Sequence, residues 1–290
     1  MATRAEVTGL TLRIPTRVAG RPAFVHAATD VSITLAAGRV HALVGESGSG
    51  KSVLASTLTG LLPPGTRVSG RVVVDGIDVT PALGTPRHRI WARLRGRVVG
   101  SVAQSAATSF TPTRTIGSQL LEAIDALGGT RSADELADIG RLPAWALAAY
   151  PHELSGGLVG RAALAAALAG QPSIIVADEP TASLDRDLAG QVLDLLRDQA
   201  DAGAAVLLIT HDVAGLLDRA VADDVSVMYA GRIVEQGVAA QVWDVPRAAY
   251  TRALLAALPR NGLHVVPGDP PALTDLAEGV RFEDRLREAL

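Results

Sequence analysis

Cysteine is absent from all 290 residues, which removes disulfides, thiolate metal sites, iron–sulfur ligation and cysteine nucleophiles together. Lysine is nearly absent as well: every basic side chain is Arg except Lys51. Trp, Tyr and Phe number three each, so the core must be aliphatic and a base-stacking site has few candidates. No run of about 18 apolar residues occurs. The longest Ala-rich stretch, 162–177, is broken by Gly170, Gln171 and Pro172, and the first residues lack an apolar leader. The chain itself is therefore not expected to span a membrane. A net charge of −3 offers no overall attraction to nucleic acid or anionic lipid, and no nucleic-acid partner is expected. With 48% apolar and 20% charged residues, disordered and collagen-like chains are excluded.

What is present reads as an α/β chain. Leu10, Leu12 and Ile14 alternate, then Val31, Ile33 and Leu35, with Ala37-Gly38 as a turn, and Asp75-Gly76 marks a tight hairpin between two short strands. These predict an antiparallel prelude. Residues 40–44 form an apolar run that leads into glycines and then into helical periodicity over 52–62. The middle, about 105–170, is mostly helical, with periodicity over 116–127, a capping-box pair in Ser132 and Glu135, and a good helix former over 158–169. Buried-type strands at 174–177 and 205–209, separated by a helix over 186–199, imply a parallel sheet. A hairpin over 225–234 and a helix over 247–258 follow. Beyond Pro259 the Pro-rich segment reads as a surface extension.

Gly45-Glu46-Ser47-Gly48-Ser49-Gly50-Lys51-Ser52 fits the phosphate-binding loop pattern GxxxxGK[ST] at every fixed position. Such a loop curls so that successive backbone N–H groups face phosphate oxygens, and the following helix adds roughly half a positive charge at its start. Lys51 supplies a compact ammonium for the β and γ phosphates where a planar guanidinium would not fit, which accounts for the lone lysine. Ser52 can ligate Mg²⁺. The bland alternative is a flexible Gly/Ser turn, and the strand before and helix after weigh against it. Asp178 and Glu179 end a buried strand, where one carboxylate suits Mg²⁺ and its neighbour can polarise a water, although paired acids at strand ends are also ordinary surface features. Gln104 and His211 also follow strands. Alone they would pass as a strand-end glutamine and a helix-start histidine. Leu154-Ser155-Gly156-Gly157 precedes a helix and reads either as a second anion site or as an ordinary N-cap with a Gly-rich entry. Two phosphate-seeking sites in one chain suggest a head-to-tail pair of chains clamping two nucleotides.

In that order and spacing the phosphate loop, Gln104, Ser155-Gly156-Gly157, Asp178-Glu179, Ala182-Ser183-Leu184-Asp185 and His211 resemble the ATP-binding subunit of an ABC transporter, over about 7–237. The resemblance implies a P-loop NTPase fold of the ABC type: a mixed, mostly parallel sheet core, an antiparallel β-subdomain and a helical signature subdomain at about 105–170. It implies a nucleotide-binding domain over 1–240 and a C-terminal extension over 241–290. It further implies ATP and Mg²⁺ as ligands, Glu179 as general base, and Gln104 as the Q-loop residue near the membrane subunits. Ser155 and Gly157 would reach the γ-phosphate held by a partner's loop, and Asp185 would belong to the D-loop. The family stacks adenine on an aromatic upstream of the loop, and Phe24 is the only aromatic before Trp91.

A narrower resemblance, to the dipeptide, oligopeptide and nickel importer branch, is carried by Tyr150-Pro151-His152-Glu153, by residues 108–112, 227–231 and 246–255, and by Pro267-Gly268-Asp269-Pro270-Pro271. Ser105-Ala106 departs from that branch's usual Asp-Pro, and Leu158 and Gly160 depart from its usual Gln-rich signature helix. The branch's tail cysteines are missing from 278–282, so a metal cluster there is not expected. The implied activity is ATP hydrolysis that powers import of peptides, nickel or a related small solute. The expected partners are a second ATPase subunit, integral membrane permease subunits and, indirectly, an extracytoplasmic solute-binding protein, with the chain peripheral to the cytoplasmic face of the membrane. The rival reading is a non-transport ABC ATPase acting on nucleic acid or ribosomes; tandem nucleotide sites, coiled-coil inserts or basic arms would mark it, and none is visible.

Overall fold

The computed structural model describes residues 2–182, 184–277 and 279–288. The chain opens with a long hairpin, β1 (Thr3–Val18) and β2 (Arg21–Ala36), turned at Ala19-Gly20, both at positive φ as a tight right-twisted hairpin requires. β3 (Val40–Val44), with all five residues buried, then runs into the glycine-rich loop and α1 (Lys51–Thr59). β4 (Arg67–Val74) and β5 (Ile77–Asp78) form the hairpin signalled by Asp75-Gly76, and α2 (Arg89–Leu94) leads to β6 (Val99–Val102).

The helical middle contains α3 (Ile116–Leu127), α4 (Ala133–Ile139) and α5 (Gly156–Ala167). The Ser132–Glu135 capping box forms in both directions, with distances of 2.6 and 3.1 Å. Alternation then resumes with β7 (Ile174–Asp178), α6 (Arg186–Asp201), β8 (Ala205–Thr210) and α7 (Val213–Arg219). A hairpin of β9 (Asp224–Tyr229) and β10 (Arg232–Val238) and the helices α8 (Ala239–Asp244), α9 (Ala249–Ala256) and α10 (Phe282–Glu288) complete the chain. Among the described residues no helix is long and apolar enough to cross a membrane.

Two sheets result. The antiparallel one has the order β2-β1-β4-β5; the larger has the order β10-β9-β3-β8-β7-β6 and is parallel except at β10. Side chains of the larger sheet alternate between two cores. Ala42, Ile175, Ala177, Val206 and Leu208 face the helical side, while Leu43, Ile174, Val176, Leu207 and Ile209 face the antiparallel sheet. Each fully buried Val, Leu or Ile among them stabilises the fold by about 1.5–3 kcal/mol. Register aligns Val44 with Thr210, Asp178 with Ile209, and Val102 with Ala177, so the carboxyl ends of β3, β6, β7 and β8 open on one edge.

The segment after Pro259 does not merely lie on the surface. Thr274 bridges to Val25, His26 N–H donates to the Leu273 carbonyl at 2.8 Å, and Asp275 N–H donates to the Phe24 carbonyl at 2.8 Å. Phe282 is buried against Tyr229 and Tyr250. Proline and glycine spacing conveys exposure and turning, but long-range pairing of this kind leaves no local trace.

Candidate functional site

The loop between β3 and α1 is held from beneath by backbone. Gly45 has φ +151°, and a Cβ there would lie 2.1 Å from the Met228 carbonyl oxygen. Gly50 has φ +105°, and its Cβ would lie 2.0 Å from the Ala27 carbonyl oxygen. Neither position admits a side chain, which is why the loop can rest on β2 and β9. Gly231 N–H donates to the Ser49 carbonyl at 3.0 Å and fixes the loop to the β9–β10 turn. Ser47 and Gly48, in the middle of the loop, are exposed.

Lys51 is 5% exposed and folds back into this curl, donating to the carbonyls of Gly45 at 2.7 Å and Glu46 at 2.9 Å. Burial pushes its ammonium below the ordinary lysine value, against the pull of the carboxylates of Glu179, Asp178 and Glu46. Those groups are the ones the strand order brings to the same edge.

Burial raises the Asp178 carboxyl, a hydrogen bond from Ser52 opposes the rise, and the neighbouring Glu179 charge adds to it. Asp178 Oδ1 is buried with no hydrogen-bond partner. An orphaned carboxylate oxygen beside a serine hydroxyl at a phosphate loop fits Mg²⁺, which takes one or two protein oxygens and completes its shell with phosphates and water.

Glu179 is 8% exposed and adopts φ +49°, a left-handed conformation that costs a non-glycine residue about 1–2 kcal/mol. Its N–H extends the sheet ladder to the Ile209 carbonyl at 2.9 Å, and its Oε2 lies 2.8 Å from His211 Nδ1 and 3.4 Å from His211 N. The pair is therefore locked by two adjacent strand ends. Such an acid–imidazole pair can take a proton and hold its own orientation. Gln104 follows β6 at the same edge and is exposed.

The remaining expected residues sit on other elements. Ser155 is the N-cap of α5, accepting from Leu158 N at 3.4 Å; Ser155 and Gly156 are exposed and Gly157 is buried against Leu188. Asp185 caps α6, accepting from Leu188 N at 2.9 Å. Ser183 lies outside the described residues, as does Glu278. The structure does not bring Phe24 to the loop. Its ring sits beneath the Arg67 guanidinium at 4.3 Å, while its neighbour Val25 lines the cavity beside the loop. Successive strand residues face opposite sides, so a shift of one exchanges the two.

Sequence reasoning missed two residues that bond to the loop and a third that packs behind them. The Tyr250 hydroxyl accepts from Glu46 N at 2.9 Å and donates to Glu46 Oε2 at 3.3 Å. Arg285 grips both oxygens of that carboxylate, and Tyr229 packs on Tyr250 with ring centroids 4.7 Å apart. In a chain with so few aromatics, Tyr229 on the last strand pair and Tyr250 and Phe282 beyond it were the available signal.

Residues 28–182, more than half of the chain, match the family described as ABC transporter. The chain belongs to the ABC transporter family of ATP-binding cassettes. Residues 234–290 match the oligopeptide/dipeptide transporter C-terminal region. Among relatives of this cassette, the oligopeptide transport ATP-binding protein OppD of Mycobacterium bovis is 38% identical, covering 98% of this chain and 48% of its own length. The chain thus spans about half of that relative. AmiE of Streptococcus pneumoniae, also an oligopeptide transport ATP-binding protein, is 40% identical over 85% of this chain and 72% of its own length. The probable D,D-dipeptide transport ATP-binding protein DdpD of Escherichia coli is 39% identical over 90% and 83%. A dimeric cassette structure in a post-hydrolysis state, bound to ADP and Pi, superposes with a TM-score of 0.65 at 24% identity, covering 81% of this chain and 98% of that one. For cbiO1 of Clostridium perfringens the values are 0.67, 23%, 90% and 97%. Both establish that the cassette has the ABC ATPase fold expected from its motifs.

Proposed function

We propose that this cassette hydrolyses ATP to power the import of peptides or a related small solute. The observation that carries the reading is the Glu179–His211 pair, 2.8 Å apart, at the strand edge shared with Asp178 and Lys51. Transporter names among the relatives and the match over 234–290 support the peptide class. None of those relatives is named for a nucleic-acid activity, and that rival finds no support.

The loop N–H groups and the start of α1 receive the phosphates, and Lys51 exchanges its carbonyl partners for β and γ oxygens. Ser52 and Asp178 would hold Mg²⁺, with Gln104 as the third candidate, and the ion would supply charge neutralisation at the phosphate oxygens. Glu179 accepts the proton of the attacking water, and its left-handed backbone with the His211 contact fixes the direction of that carboxylate. His211, exposed on its outer side, reaches the terminal phosphate. Ser155, Gly156 and Gly157 serve the nucleotide of a second ATPase subunit, identical or paralogous, and Asp185 lies at the same interface. Two subunits closing on two nucleotides would drive integral membrane permease subunits, fed by an extracytoplasmic solute-binding protein, and the chain would sit at the cytoplasmic membrane face through those permeases.

Phosphate release measured on the assembled transporter tests this. Glu179→Gln should lower turnover roughly 10²- to 10⁴-fold while ATP still binds. Undiminished turnover would remove Glu179 as base, and no nucleotide-dependent phosphate release by the parent would remove the ATPase reading.

A further inference from the structure

The second position of the phosphate loop is an acid, Glu46, placed where a polyanion is to be received. A carboxylate there opposes phosphate binding unless its charge is matched. The chain matches it from 239 residues away. Arg285 donates from Nη1 to Glu46 Oε2 at 2.7 Å and from Nη2 to Oε1 at 3.1 Å, a fork-to-fork pair. The guanidinium is itself pinned by the Pro267 carbonyl at 2.6 Å and the Gly268 carbonyl at 2.9 Å, and its side chain is only 6% exposed. Phe282 lies 5.6 Å from the same guanidinium, and Tyr250 ties both the amide and the carboxylate of Glu46. A cavity of about 310 Å³ beside the loop is lined on one side by Glu46 and Gly48 and on the other by Pro270, Pro271 and Leu273, so this segment borders the loop directly.

We propose that Arg285 is a positioning residue for the phosphate loop: from the C-terminal segment it cancels and fixes the Glu46 carboxylate, so that the loop presents donors and Lys51, not an unpaired negative charge, to the nucleotide. The inference rests on the reading of the loop as an ATP site. It separates two roles that geometry alone merges, since Arg285 also fastens the segment to the domain. If charge cancellation is its task, removing the arginine harms binding only while Glu46 is still an acid.

Calorimetric titration of the full chain with MgATP decides, using Arg285→Met, which keeps the stem packed on Phe282, Glu46→Gln, and both together. Arg285→Met should weaken ATP roughly tenfold, and the double variant should return to within about threefold of the parent, with Glu46→Gln alone as the reference that closes the cycle. Unchanged affinity in Arg285→Met would overturn the proposal. So would a loss that persists in the double variant, because a purely fastening role is indifferent to the charge at position 46. Should Arg285→Met fail to fold, Arg285→Gln, which keeps an amide donor for the Pro267 and Gly268 carbonyls but not the charge, carries the same cycle: loss of the charge should weaken ATP, and Glu46→Gln should restore it. A parent chain that folds yet does not bind ATP would remove the site itself, a result distinct from failure of the cycle.

Discussion

Replacing Lys51 by Met isolates the loop's only ammonium with little change of volume. In the structure its Nζ is 2.7 and 2.9 Å from two loop carbonyls, which places it inside the curl proposed to receive the phosphates. An ammonium about 4 Å from a phosphate charge, at an effective dielectric near 20, is worth about 4 kcal/mol, or close to a thousandfold in affinity. Releasing the two carbonyls returns part of this at about 1 kcal/mol each, leaving about 2 kcal/mol and an expected loss of about thirtyfold. Stability should respond weakly. The variant forfeits those two hydrogen bonds but also sheds a buried charge that the fold already holds below its ordinary value, so the melting temperature should stay within about 5 °C of the parent. Calorimetry with MgATP, paired with thermal melts, measures both. A dissociation constant within tenfold of the parent would refute the geometry, and a large drop in melting temperature would show that Lys51 serves the fold instead of the ligand.

The other predictions concern separate parts of the chain. Asp178→Asn should raise the nucleotide-free melting temperature while abolishing extra protection by MgATP; because burial holds this carboxyl above its ordinary range, ionising it as pH rises through that window costs the fold stability, and Asn removes the cost. Melts with and without MgATP read both, and a lower nucleotide-free value would contradict it. His41, buried on β3 and 2.8 Å from Ser226 Oγ, is lowered by burial to about 4, with Asp224 opposing. The unfolded chain takes up this proton below about 6.5, so the folded state should lose up to about 3 kcal/mol as pH falls from 6.5 to 4. Urea midpoints across that range should be flatter in His41→Gln, and parallel curves would exclude His41 as the source. Ser155→Arg should leave ATP affinity of the single chain within about twofold but lower turnover of the assembly at least tenfold, since Ser155 is exposed at the start of α5 and not part of its own chain's loop. Equal turnover would exclude a role in trans.

Much of the fold was readable because its determinants are local. Asp75-Gly76 fixes a hairpin through two positive φ angles, Ser132 and Glu135 cap a helix from three residues apart, and five buried residues in a row mark β3. The phosphate loop and the strand-end acids were likewise readable, since each pairs a motif with its element. Phe24 was not, because several register shifts along β1 and the part of β2 between Phe24 and the loop break the simple alternation from which its face would be read. Arg285 was hidden for a different reason. One of three closely spaced arginines in or just before a short final helix carries no mark of its own, and its partner becomes apparent only when Tyr250 and Phe282 have brought the two together.

The composition and the burial of the phosphate loop together give this cassette an unusual chemical handle. With every other basic side chain a guanidinium, acylating reagents find one ε-amine in the entire polypeptide, and it lies inside the curl. Occupancy of the loop by a nucleotide should thus register in mass spectrometry as shielding of the one lysine adduct, resolved from that of the α-amine, without installing any reporter.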